Sequence, residues 1–304
     1  MRLKKSIILS IIIVSIVIVL FFLLGKDQPL YLLDGDTFSY FQDRPISKLV
    51  MTPLEEKENW SLSKLHFTSR PLLGTPTEVY GLLFIPKNIK GKVSGVVLLP
   101  GGGGTKEGEA RLADILVKEG LAVLTFDQRG IGETTGKTLS FEQDFQLFLQ
   151  KNEPQQHLMV YDVLAAFDIL KNQPQVDSTK VIIIGESMGG RYGIIATALD
   201  PRIKGVIVIS SAGFNTQSDF LSAQQRYLSS IDPSRYLSKI APRPLAMLHA
   251  ENDSIIPLTS AQLTIQKAKE PKKFFLTNAS TCNHGYCDAM HENLKEALKF
   301  VLQN

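Results

Sequence analysis

The stretch Val181-Ile182-Ile183-Ile184-Gly185-Glu186-Ser187-Met188-Gly189-Gly190 constrains this chain more than any other. Its β-branched first half reads as a strand buried on both faces. The Ala- and Ile-rich segment from Arg191 to Leu199 reads as a buried helix. Ser187 falls on the turn between them, in Gly-x-Ser-x-Gly spacing. Such a turn holds the serine backbone in a strained conformation, and the flanking glycines let strand and helix cross closely. The hydroxyl is lifted above the sheet edge, at the positive end of a helix. A motif this short also arises by chance, so its weight depends on whether partners for the hydroxyl follow.

The rest of the pattern supports such a turn. Leu62 to Ser69 and Val79 to Ile85, around Pro71, Gly74 and Pro76, read as an antiparallel pair. Strands then alternate with helices: strand 95–99, helix 106–119, strand 122–126, helix 156–171, strand 181–184 and the helix after Ser187. Strands 205–209 and 245–248, helix 258–269, strand 272–276 and helix 288–302 follow. This order predicts an α/β fold, a mainly parallel twisted sheet flanked by helices, with the site at the carboxyl ends of the strands. Two connections exceed simple turns. Residues 136–155 carry Leu139, Phe141, Phe145 and Phe148, and residues 210–243 carry Phe214, Tyr227 and Tyr236. Apolar insertions at that end of a sheet predict a short cap, either a lid or packed surface.

The chain of 304 residues suffices for one large domain of residues 61–304 and a short appendage. A formal net charge of +3, with no basic stripe, argues against a nucleic-acid partner. At the N-terminus, Ser6 to Leu24 carries Ile, Val, Leu and Phe with serine as its only polar residue type, after Arg2, Lys4 and Lys5. That run is long enough to span a bilayer, and the basic cluster places its start in the cytoplasm. Residues 1–27 are therefore expected to be an uncleaved transmembrane signal anchor with the remaining chain extracytoplasmic. A cleaved signal peptide, giving a secreted protein, is the competing reading. Residues 28–60, with Pro29, Pro45 and Pro53 and no sustained period, read as a linker and N-terminal extension.

A serine hydroxyl needs a base to take its proton and an acid to orient that base. In the chain order of this kind of elbow, the acid comes next and the histidine last. After the strand ending at Leu248, Asp253 is the candidate acid, with Glu251 the weaker substitute. His284 lies in a polar loop between the last strand and the last helix, where the base is expected. His66, His157 and His249 precede the acid, and His291 falls in the final helix. The negative charge of a tetrahedral intermediate needs backbone N–H donors. Met188, after the serine, is one candidate, and Gly102 of the loop Pro100-Gly101-Gly102-Gly103-Gly104 is the other, with Gly103 close behind.

Gly130-Ile131-Gly132-Glu133-Thr134-Thr135-Gly136-Lys137-Thr138 imitates a phosphate loop but has Ile131 where the first glycine is required. A dinucleotide fingerprint fails likewise at Thr135. Asp127 to Gly130 reads instead as a structural turn in which Asp127 and Arg129 hydrogen-bond neighbouring loops.

Taken together, Gly185 to Gly190, the Pro100 to Gly104 loop, Asp127 to Gly130 with Gly132, Asp253 with Pro257, and His284 resemble the α/β-hydrolase family, esterase, lipase and acyl-peptidase-like members above all. The resemblance covers roughly Leu62 to the C-terminus. It implies a nucleophile at Ser187, an acid at Asp253, a base at His284, an oxyanion hole from Met188 and the glycine loop, and no metal or organic cofactor. Pro100 replaces the histidine that many members carry before the glycines, and Ala250 the glycine that often precedes the acid loop. The expected activity is cleavage of an ester or related acyl bond in a small or lipid-like substrate. The alternatives are acyl transfer, peptide cleavage, or a catalytically silent binding protein of the same fold. Cys282 and Cys287, the only cysteines, bracket His284. They are expected to form either a disulfide restraining that loop, compatible with an extracytoplasmic site, or two independent buried thiols.

Overall fold

A computed structural model describes residues 31–44, 46–216 and 222–303. Nine strands form one sheet, and a separate two-stranded ribbon precedes it. The ribbon is β1 (Tyr31–Asp34) and β2 (Thr37–Tyr40). The sheet comprises β3 (Ser47–Glu56), β4 (Trp60–Leu72), β5 (Thr75–Pro86), β6 (Val93–Leu99), β7 (Ala122–Phe126), β8 (Val176–Glu186), β9 (Val206–Ile209), β10 (Leu245–Ala250) and β11 (Lys272–Thr277). Their order is β11-β10-β9-β8-β6-β7-β5-β4-β3. From β7 to β11 every pairing is parallel, whereas β3, β4, β5 and β7 pair antiparallel. The α/β fold expected from the alternating pattern is therefore present.

The α-helices of the described residues are α1 (Ala110–Lys118), α2 (Phe141–Leu149), α3 (Gln155–Lys171), α4 (Ser187–Leu199), α5 (Ala223–Ser230), α6 (Leu258–Lys267) and α7 (His291–Gln303). The period-two alternation of the central strands assigns the layers. Val97 and Ile183 pack with α3, α4 and α6 on one face. Val96, Leu98, Ile182 and Ile184 pack with α1 and α7 on the other. Both faces are covered, which is why these strands read as continuous apolar runs.

Three features differ from the sequence reading. Residues 31–40 are docked rather than loosely linking: the Phe38 ring stacks on His157 at 3.9 Å and its N–H donates to the Tyr236 hydroxyl at 3.2 Å. The strand β3 lies within the stretch expected to be linker, and it extends the sheet beyond the antiparallel pair. Helix α1 starts at Ala110, not Lys106, because Lys106 is held by Asp127, through its N–H at 2.8 Å and its ammonium at 2.7 Å. The expected transmembrane segment, Ser6 to Leu24, lies outside the described residues. Among the described residues no helix is long and apolar enough to cross a membrane.

The two insertions pack on each other. Phe141, Phe145 and Phe148 of α2 surround the fully buried ring of Tyr227 on α5, with centroids 5.1 to 5.7 Å apart. The Tyr227 hydroxyl donates to Asp144 at 2.7 Å, so the pair is fixed by a buried hydrogen bond as well as by area. Asp127 and Arg129 have the structural role expected of them. Arg129, 1% exposed, donates from Nε to Asp162 Oδ2 and from a terminal nitrogen to Oδ1, both at 2.7 Å.

Removing one partner of such a pair strands a buried charge, which costs about 3–5 kcal/mol. Asp162→Ala is therefore expected to lower the urea midpoint by that equivalent, and adding Arg129→Met should recover a large part of it. A loss below about 1 kcal/mol for the single variant would show that the pair does not organise this turn.

Candidate active site

Ser187 opens α4 with φ +49°, in the left-handed region that a non-glycine residue occupies only under constraint. The constraint is close packing. A Cβ on Gly185 would lie 2.5 Å from the Gly189 carbonyl, and one on Gly189 would lie 2.5 Å from the Pro100 oxygen and 2.6 Å from that of Leu99. No side chain fits at either position, so the crossing can close only with glycine there. Ser211, just past β9, donates its hydroxyl to the Ser187 carbonyl at 2.7 Å and holds the turn from below.

The structure brings Asp253 and His284 together. His284 Nδ1 lies 3.0 and 3.1 Å from the two Asp253 carboxylate oxygens. Asp253 is buried and also accepts the N–H groups of Ile255 at 2.9 Å and Ile256 at 2.8 Å. Burial alone would raise its pKa, but these N–H groups and the imidazole outweigh it and hold the carboxyl below its ordinary range. Glu251, the substitute acid, is exposed. Of the other histidines, His249 also neighbours the acid, its Nε2 lying 3.9 Å from Asp253 Oδ2, and the rest are engaged elsewhere. His249 is fully buried with Nε2 3.0 Å from the Ile256 carbonyl, His157 bonds Tyr31 and Ser230, and His66 stacks on Tyr80. His291 starts α7 and lies 3.3 Å from the Tyr286 hydroxyl.

The glycine loop lies across the elbow. A Cβ on Gly101 would sit 3.5 Å from the Ser187 Cβ, and one on Gly102 would sit 3.4 Å from the Met188 methyl. Both expected N–H donors thus belong to segments that touch. Gln128 was not singled out from the sequence, yet its side-chain amide donates to the carbonyls of Pro100 at 3.0 Å and Gly101 at 3.2 Å. It props the loop from the β7 side.

Residues 92–243, half of the chain, match the family described as serine aminopeptidase, S33. The chain belongs to this α/β-hydrolase family. The protein YfhR of Escherichia coli (strain K12) is 24% identical over 225 residues, covering 71% of this chain and 72% of its own. YtaP of Bacillus subtilis (strain 168), named as a hydrolase, is 30% identical over 154 residues, 48% of this chain and 51% of its own. Among solved structures, the acetyl xylan esterase from Paenibacillus sp. R4 shares the fold with a TM-score of 0.70 at 17% identity, over 85% of this chain and 90% of that one. A cold-adapted esterase from an Arctic intertidal metagenomic library does so with a TM-score of 0.58 at 20% identity, over 82% and 96%.

In this hydrolase the histidine loop is tied down at three points. Cys282 and Cys287 form a disulfide, so of the two expectations for the cysteines the bonded one holds. Ser254, beside the acid, donates its N–H to Asn283 at 2.8 Å. Glu186, the residue before the nucleophile, accepts the Tyr286 N–H at 3.2 Å. Gly285 is left-handed at φ +81°, and a Cβ there would come within 2.8 Å of the Glu186 carboxylate. The loop bearing His284 is thus fastened to the elbow through the residue next to Ser187.

Glu186 has an acidic neighbour in Glu109, at the start of α1. Burial, then the negative charge of Glu186, push Glu109 up to about 8. Burial also raises Glu186, against the Tyr286 N–H and the His284 charge, which lower it. From the ordinary value of 4.5 up to about 8, folded Glu109 keeps a proton that the unfolded chain releases. Stability therefore declines as pH rises through that window, by at most about 1.4 kcal/mol per unit. Glu109→Gln should remove this decline: between pH 5 and 8 the wild-type Tm is expected to fall further than that of the variant. Parallel Tm curves would mean that Glu109 ionises as an ordinary carboxyl.

Proposed function

We propose that this protein is a membrane-anchored serine hydrolase that cleaves an ester or related acyl bond through an acyl-enzyme on Ser187. The observation that carries the reading is His284 bonded to buried Asp253 on a loop fastened beside a left-handed serine. With Nδ1 occupied by Asp253, the Nε2 nitrogen is left to serve the hydroxyl. Ser187 Oγ attacks the carbonyl carbon as Nε2 takes its proton, and the oxyanion is met by the N–H groups of Met188 and Gly102. The imidazolium then protonates the leaving oxygen as its bond to carbon breaks. Water, deprotonated by His284, releases the acid and restores Ser187. Asp253 keeps the imidazole oriented and stabilises its charged form.

Family membership supports hydrolysis in general, and the family's description keeps an amide substrate in play as the second reading. An anchor at residues 1–27 would leave the catalytic domain extracytoplasmic. The Cys282–Cys287 disulfide favours that side, since such bonds persist in oxidising compartments.

A fluorophosphonate probe is expected to label the wild type and not Ser187→Ala, while His284→Ala should lower ester turnover by about 10³-fold or more. A folded wild type that stays unlabelled would end the enzymatic reading. Matched 4-nitrophenyl esters and aminoacyl 4-nitroanilides separate esterase from peptidase. For the anchor, the full chain should sediment with membranes, resist carbonate extraction and be cut by protease added outside cells. Recovery in the soluble fraction would sink it.

A further inference from the structure

Among the described residues, the wholly or partly buried arginines are answered by named partners, with one exception. Arg44 meets Asp168 and Asp200, Arg129 meets Asp162, and Arg243 donates to the carbonyls of Thr197, Asp200 and Ile203. Arg191, on the first turns of α4, is half-buried, yet among the described residues it makes no hydrogen bond and no ion pair. Its guanidinium carbon lies 4.8 Å from the centre of the Phe214 ring, and that stacking is its one described contact of a charged kind. Burial lowers its pKa, the sign of a cation short of counter-charge. The carboxylate that acts on it, Asp232, is already occupied, accepting from the N–H groups of Phe214, Thr216 and Ser234 and from the Thr216 hydroxyl at 2.8 to 3.0 Å.

The position of Arg191 gives this missing counter-charge a location. Residues i and i+4 share a helix face, and helical side chains lean toward the N-terminus. From Arg191 that direction leads over the turn of Ser187. Phe214 is exposed and follows directly on the segment whose Ser211 holds the Ser187 carbonyl. A planar guanidinium with free donors, stacked on an aromatic ring, matches a carboxylate's two oxygens.

We propose that Arg191, braced on Phe214, is a specificity subsite that selects esters bearing a carboxylate on their acyl or alcohol part. This rests on the serine hydrolase reading and names its substrate class. Arg191 takes no part in bond making; it holds the substrate's anionic group while Ser187 attacks.

The test uses the full chain and two matched substrate pairs. Mono-4-nitrophenyl adipate against 4-nitrophenyl hexanoate places the charge on the acyl part, and 3-acetoxybenzoate against phenyl acetate places it on the leaving part. In the wild type the anionic member of at least one pair is expected to have the higher kcat/KM, and that pair tells which side of the ester faces Arg191. Arg191→Met should lower the anionic-to-neutral ratio about tenfold or more, with Arg191→Lys intermediate, each variant first checked for a native melting transition. Adipate should also inhibit the wild type more strongly than hexanoate does, a readout that needs no variant. Preference for the neutral ester in both pairs, or a ratio unmoved by Arg191→Met, overturns the subsite while leaving the hydrolase intact. Failure to turn over either neutral ester, together with no fluorophosphonate labelling, overturns both.

Discussion

Everything at the proposed centre depends on how closely α4 crosses the end of β6. Gly189 rests against the carbonyls of Leu99 and Pro100, at a separation that no Cβ allows, and this contact turns the chain sharply enough to force Ser187 into a left-handed conformation. Strain of that kind costs about 1–3 kcal/mol and persists only where surroundings over-determine it. Here the surroundings are a sheet packed on both faces, a serine hydroxyl bonded to the strained carbonyl, and glycines where the backbones meet. The same contact brings the glycine loop against Ser187 and Met188, so one packing event sets both the exposed hydroxyl and its neighbouring N–H donors.

A second constraint is electrostatic. Asp253 is buried without becoming neutral, because two backbone N–H groups and the imidazole compensate for lost water. Glu186 and Glu109 show the opposite balance, with burial outweighing what hydrogen bonding they have. Three carboxyls near one site are thus pushed in different directions by their environments. The orienting acid stays charged, and the pair beneath the histidine loop retains a proton more readily.

Some of this was legible in the residues because its cause is local. The apolar runs at 95–99, 122–126, 181–184 and 205–209 read as strands, and the buried strands β6, β7, β8 and β9 stand there. Chain order, together with a place in the loops that follow two strands, points to Asp253 and His284, and they meet at 3.0 Å. The early strands were not legible for a physical reason. The strand β3 is an edge strand exposed along its described length, so it has no apolar alternation to show, and Pro53, Glu55 and Glu56 mark it as a guarded edge rather than as a strand.

The sequence by itself determined the alternation of strand and helix, the elbow, and the residue types in their chain order, since each follows from side-chain period and backbone permission over a few neighbouring residues. Tertiary structure alone decided which distant groups touch. It gave Gln128 to the glycine loop, Glu186 to the histidine loop, the disulfide to the bracketing cysteines, and to Arg191 an aromatic ring but, among the described residues, no ion pair. Those pairings span up to 100 residues, and no local preference encodes them. They are fixed only when the twisted sheet carries the ends of its strands to one rim.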